Sequence, residues 1–235
     1  MLIRPVKLEE AEEVQKIYNH KDIISHLGGM TFLETIKMKT KSSGPTIFGA
    51  WDNEKLVGSM MIGSRNQCQY AKFGEVGVLP EYRRQRISTA LYVAIIAQGI
   101  LEGRRIWEDT IVGNNDIQML ALPTIGLEKW GVLRQKTASF LDIHIFGYLL
   151  SIDNFNRSIA RLREDTRIEL RFDYYSIDLR HKNIEIYEKK NSEFIQTFNY
   201  CLNYITNSKF FHIIDGEMKQ EHNVGKKKHE EQLEL

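Results

Sequence analysis

The spacing of apolar residues divides the chain into two textures. Leu2 to Val6 reads as a short strand, and Glu9 to Tyr18 follows with Ala11, Val14 and Ile17 at helical spacing behind an acidic first turn. Ile23, Ile24, Leu27, Phe32, Leu33 and Ile36 predict further helical turns broken at Gly28 and Gly29, a segment suited to covering a cleft. Thr46 to Trp51 and Leu56 to Ile62 are apolar runs joined by Asp52 to Lys55, the pattern of a β-hairpin. A third run, Phe73 to Leu79, stops at Pro80, and Ile87 to Leu101 is apolar almost all round, which predicts a buried helix. Ile106 to Val112 predicts a strand, Asp116 to Lys129 a helix interrupted by Pro123, and Val132 to Leu150 a β-rich segment with a bend near Ala138 and Ser139.

Residues 1–150 therefore predict an α/β fold, a mixed sheet with helices on both faces. Beyond them, Asp153 to Arg163 predicts a basic amphipathic helix. Ile168, Leu170, Phe172 and Tyr174 alternate with charged residues as in a half-exposed antiparallel strand, with Ile184 and Ile186 as its expected partner. Phe194 to Ile205 predicts a helix and Phe210 to Ile214 a last strand, so 151–215 is expected to be an α+β extension. From residue 216 apolar residues thin out around Lys226 to Lys228, and 216–235 is expected to be a disordered tail.

Composition narrows the function classes. With 32 basic and 31 acidic side chains the net charge is +1, so bulk electrostatics favour neither nucleic acid nor anionic lipid. Cys68 and Cys201 form no C-x-x-C pair, and the histidines show no metal-ligand spacing, so neither a disulfide framework nor a metal site is expected. No run of about 18 apolar residues exists and Met1 to Val6 lacks the build of a signal peptide, so a cytoplasmic protein is expected.

The informative charge is local. Val76 to Leu91 is a strand ending at a proline, a turn carrying Arg83, Arg84 and Arg86, and the start of the long apolar helix. Unbonded amides at a helix start converge on one point that the helix dipole makes positive, the setting for a phosphate or pyrophosphate. The bland reading is an exposed basic cap on a structural helix.

This stretch resembles the acetyl-CoA-binding motif of the GNAT N-acetyltransferase superfamily, Val-x-Pro-x-x-Arg-(Arg/Gly)-x-Gly-x-(Gly/Ala/Ser)-x-x-Leu. Val78, Pro80, Tyr82, Arg83, Ile87 and Leu91 fit it, and the resemblance covers about residues 1–150. It implies a GNAT-like mixed sheet whose Phe73 to Leu79 strand is bulged and splayed, with the pantetheine arm filling the gap near Val78. The pyrophosphate is then expected on the amides of Arg84, Gln85, Arg86, Ile87, Ser88 and Thr89. Arg86 replaces the motif's first glycine and Ser88 its second small residue. The Arg86 side chain is expected to turn outward or to pair with the phosphates.

Asn114 and Asn115 resemble the family's asparagine that contacts the pantetheine arm. Leu127 to Val132 resembles its Leu-Tyr-Glu-Lys-Leu-Gly-Phe helix end, which puts Leu127 where many members have a tyrosine that protonates the leaving thiolate. The resemblance implies an N-acyltransferase moving an acetyl group from acetyl-CoA to a primary amine of a small molecule or protein. Such chemistry needs a base, for which Glu75 is the first candidate and Glu108 or Asp109 the next, only one of which can face the cleft on an alternating strand. Asp142, His144, Phe146 and Tyr148 share a face by alternation, either as a wall of the acceptor site or as a plain strand face. Two other readings stay open: an inactive GNAT-fold module that binds a protein partner, and a GNAT-like enzyme acting on a nucleotide or base. A homodimer is compatible with all three, and no membrane partner is expected.

Overall fold

The computed structural model describes residues 1–27, 30–41, 46–65, 70–102, 104, 106–113, 115–137, 140–150, 152–163, 169–171, 175–178, 183–186, 210–214 and 217–221. The elements in chain order are β1 (Leu2–Pro5), α1 (Ala11–Tyr18), α2 (Lys21–Leu27), α3 (Leu33–Thr40), β2 (Ile47–Asp52), β3 (Lys55–Arg65), β4 (Tyr70–Val78), α4 (Ile87–Leu101), β5 (Ile106–Val112), α5 (Asp116–Ala121), β6 (Glu128–Leu133), β7 (Ile143–Leu149) and α6 (Ile152–Arg163). Short strands β8 (Glu169–Arg171), β9 (Tyr175–Asp178), β10 (Asn183–Ile186), β11 (Phe210–Ile214) and β12 (Glu217–Glu221) follow.

Seven strands form a mixed α/β sheet in the order β1-β2-β3-β4-β5-β7-β6, and β8, β9 and β10 extend it beyond β1. Along β2 and β3 the side chains alternate between two cores. Phe48, Ala50, Val57, Met60 and Ile62 face α4, whereas Ile47, Trp51, Leu56 and Met61 face α1 to α3. Helix α4 is apolar on every side because it is enclosed on every side: Ala90 to Ala97 are all buried between the sheet and α6. Helix α1 is amphipathic, with Ala11, Val14, Ile17 and Tyr18 buried.

Two ladders place the site. β3 and β4 are antiparallel, but their register shifts between Met60 and Ile62 and again between Ile62 and Ser64. The first shift opposes one residue of β3, Met61, to two of β4, which puts a bulge at Gly74 and Glu75. Close approach there requires glycine: a Cβ on Gly74 would lie 2.9 Å from the Met61 carbonyl oxygen. β4 pairs in parallel with β5 only at Tyr70, Ala71 and Lys72, while β5 stays paired with β7 from Ile106 to Val112. Beyond Lys72 the two strands part.

Several elements differ from expectation. The helix predicted over 116–129 ends at Ala121; Leu122–Ile125 is a 3-10 turn, Gly126 closes it at φ +91°, and the chain is already strand at Glu128. Pro123 has no amide proton to continue an α-helix, and Gly126 takes the left-handed conformation that ends one. The residues at 169–171 pair in parallel with β1 and antiparallel with β9, not with 183–186, which pair with β9 instead. Residues 217–221, placed in the expected tail, form β12 against β11; backbone pairing needs no apolar side chains. The helix predicted at Phe194 to Ile205 and residues 222–235 lie outside the described residues.

Candidate functional site

The parting of β4 from β5 opens a cleft of about 640 Å³. Its walls are the bulged half of β4 (Phe73, Gly74, Glu75, Val76), the end of β5 (Thr110, Ile111, Val112), and the start of α5 (Asn115, Gln118). Helices α2 and α3 contribute His26, Leu27 and Lys39 from the other side. Of the residues expected from sequence, Glu75 and Asn115 line this cleft. Val78 sits at the far end of β4, and β4 runs straight into the arginine turn.

In that turn Arg84 and Arg86 both take left-handed backbone conformations, φ +63° and +59°. The glycine position of the motif thus keeps a glycine-like conformation with arginine in it, at a cost of about 1–2 kcal/mol for a residue with a Cβ. The Arg86 carbonyl accepts the Ala90 amide, 3.0 Å, as α4 begins. Ahead of it the first amides of this 15-residue helix have no intrahelical acceptor. Ser88 and Thr89 are half-buried, Arg84 and Gln85 exposed, and Ile87 is buried in the core, so only its backbone can meet a ligand. Arg83 is spent on structure: its Nε donates to the Val78 carbonyl at 3.3 Å and a terminal nitrogen to the Asp22 carbonyl at 3.0 Å, tying the turn to α2.

The carboxylates separate by environment. Glu75 lines the cleft, and its carbonyl oxygen accepts from the buried hydroxyl of Tyr18 at 3.1 Å, a proton shared with Ser59 Oγ at 3.2 Å. Glu108 is paired with Lys72 at 3.1 Å. Asp109 is 4% exposed and faces α4, where burial pushes its carboxyl up to about 6. The Tyr92 hydroxyl and the Thr110 amide both donate to it and pull the other way. Neither Glu108 nor Asp109 lines the cleft.

Sequence reasoning did not single out Tyr92, Gln118, Lys39 or Tyr18. Gln118 Nε2 donates to the Tyr92 hydroxyl at 2.7 Å, and Lys39 Nζ donates to the carbonyls of Ile62 and Gly63 at 2.9 and 2.8 Å. A signal for Gln118 existed: it lies three residues after Asn115, the spacing of an N-cap and the amide it accepts. Of the two readings of the face carrying Asp142, Phe146 and Tyr148, these residues fit the plain strand face. Phe146 and Tyr148 are buried in the α4 core, and the Asp142 carboxylate accepts from Arg134 at 2.6 Å and the Gln135 amide at 3.0 Å, closing the β6–β7 connection. The helix end also moves. Gly126, not Gly131, closes it, so the position four before the glycine is Leu122, and Leu127 lies just before β6; both are buried.

A splayed, bulged strand leading into a helix N-terminus is accompanied by a family match. Residues 11–120 match the family model described as Acetyltransferase (GNAT) family. These residues are a GNAT acetyltransferase domain. Similar solved structures include smu.2055 from Streptococcus mutans, 20% identical, covering 64% of this chain and 100% of that one, with a TM-score of 0.57. A ribosomal-protein-alanine N-acetyltransferase from Brucella melitensis is 18% identical over 64% of this chain and 100% of its own, TM-score 0.56. The putative acetyltransferase yncA from Salmonella typhimurium, solved with its cofactor acetyl-CoA, is 15% identical over 63% of this chain and 93% of its own, TM-score 0.56. At these identities the likeness is one of fold. No curated protein matches the sequence. None of the described helices is long and apolar enough to cross a membrane.

Proposed function

We propose that the GNAT domain transfers an acetyl group from acetyl-CoA to a primary amine. The observation that carries this reading is the parting of β4 from β5 beyond Lys72, which leaves main-chain groups of the Gly74–Val76 bulge facing an open cleft. A pantetheine arm is an extended chain with two amides, suited to pairing with an unsatisfied strand. Its pyrophosphate then falls at the end of β4, where Arg84, Gln85, Arg86 and the amides of Ile87, Ser88 and Thr89 provide charge and donors. Arg83 contributes through the turn it anchors.

In the reaction, the acceptor nitrogen attacks the thioester carbonyl, a bulge amide holds the oxyanion, and Glu75 takes the nitrogen's proton directly or through water. The C–S bond then breaks. With Leu122 at the tyrosine position, the CoA thiolate leaves toward the open cleft and is protonated by water.

Calorimetry with acetyl-CoA and CoA tests the reading, together with thiol release in the presence of a panel of amines. Micromolar, mutually competitive binding is expected, weakened at least tenfold by Arg84→Glu, with turnover lowered about 100-fold by Glu75→Gln while binding is retained. No binding of either ligand overturns it. The observation favouring an inactive binding module is Leu122; that reading gains if acetyl-CoA binds and no amine in the panel is acetylated.

A further inference from the structure

The directions of four hydrogen bonds fix two amide side chains on the cleft wall. An ionised carboxylate only accepts, so the single hydroxyl proton of Tyr92 goes to Asp109, whose other oxygen takes the Thr110 amide at 2.7 Å. The phenol oxygen is left as an acceptor and receives Gln118 Nε2 at 2.7 Å. That turns the NH2 end of Gln118 inward toward α4 and leaves Oε1 as the end available to the cleft that Gln118 lines. At Asn115 the opposite holds. Its Oδ1 accepts the Gln118 backbone amide at 3.2 Å, leaving Nδ2 as the free end on the same wall.

The family resemblance already assigns Asn115 to the pantetheine arm; we propose that Gln118 Oε1 accepts the N–H of the same secondary amide, with Tyr92 and Asp109 as positioning residues that hold Gln118 in the accepting orientation. This rests on the acetyl-CoA reading. The ligand's N–H donates to Gln118 and its carbonyl accepts from Asn115. Among the described residues, the charged and titratable groups that act on Asp109 are Tyr92 on α4, Lys72 on β4 and Glu108 on its own strand; on β7 the apolar Phe146 stands opposite it. The carboxylate is the one group that decides which way the phenol proton points.

Calorimetry on the full chain with CoA and with 3′-phosphoadenosine 5′-diphosphate, the fragment that ends before pantetheine, separates this proposal from the reading beneath it. Gln118→Met is expected to weaken CoA about 3- to 10-fold and leave the fragment unchanged. Asp109→Asn reverses the relay: the new amide donates to the phenol, the phenol donates to Gln118, and the glutamine turns its NH2 to the cleft. CoA is expected to weaken to a similar degree, and Asp109→Asn is expected to add nothing in the Gln118→Met background, a coupling that simple loss of packing does not produce. Tyr92→Phe, which frees the glutamine, serves if Asp109→Asn does not fold. Wild-type affinity for CoA in Gln118→Met, or an undiminished effect of Asp109→Asn in its background, overturns the proposal while the acetyl-CoA reading stands. Wild-type protein that binds neither CoA nor the fragment overturns both.

Discussion

The two faces of the sheet are built on different principles. The α4 face is a continuous apolar core, from Ile3 through Trp107 to Leu162, with the buried Asp109 carboxylate set into it. The α1 to α3 face has a smaller core and reaches the sheet with polar groups instead. Lys39 caps the carbonyls of Ile62 and Gly63, Tyr18 the carbonyl of Glu75, and Arg83 links the turn to Asp22. The Lys39 and Tyr18 contacts gather at the bulges. Where the β3–β4 ladder shifts register, backbone groups lose their strand partners, and helix side chains take their place. A cleft cut into a sheet leaves such groups behind, and the face that opens onto the cleft is the one that must satisfy them.

The largest way to break the contrast is on the apolar face. Trp107 is fully buried and stacks on Phe73 with ring centroids 5.0 Å apart, so Trp107→Ala is expected to cost about 3–5 kcal/mol in urea unfolding, with little dependence on pH.

The buried Asp109 gives the same face its pH dependence. Its carboxyl titrates at about 6 against 3.8 in free aspartate, so the folded chain holds that proton more tightly than the unfolded one. Its contribution to stability is therefore largest below about pH 4, falls as pH rises to 6, and is constant above, a change of about 3 kcal/mol at most. Unfolding measured at pH 4.5 and 7.5 should show this fall in the wild type and lose it in Asp109→Asn.

On the polar face, Lys39→Met removes the donor from two carbonyls and is expected to cost about 1–3 kcal/mol in thermal unfolding. The smallest effect concerns the turn. Arg86→Gly removes a side chain from a left-handed position and is expected to raise stability by about 1 kcal/mol, read as a higher melting temperature, while CoA binds more weakly for the loss of one positive charge at the turn.

Legibility follows the same division. The apolar run Ile87 to Leu101 and the strand Ile106 to Val112 were readable to the residue, because burial on a rigid face leaves a periodic trace. The turn at Arg83 to Thr89 was readable from its charge and its motif. The helix end at 116–129 was not, because Gly126 and Gly131 both fit a terminating glycine, and only the fold shows which one is left-handed. Gln118 was missed because a glutamine on a short helix looks like a solvated position. Its role depends on Tyr92 and Asp109, 26 residues earlier and on the strand beneath. Polar contacts to bulge carbonyls leave no periodicity at all, which is why Lys39 and Tyr18 emerged only from the structure.

The parallel pairing of β8 with β1 has a consequence for how the chain is made. In the seven-stranded sheet β1 would be a bare rim, an open row of amides and carbonyls of the kind that recruits other chains. Glu169 and Leu170, more than 160 residues further along the chain, pair with it and shield it. During synthesis the rim stays uncovered until that stretch has left the ribosome. A polypeptide cut at residue 163, after α6, should retain the cleft, the arginine turn and the cover over α4, yet be more prone to self-association than the 235-residue chain.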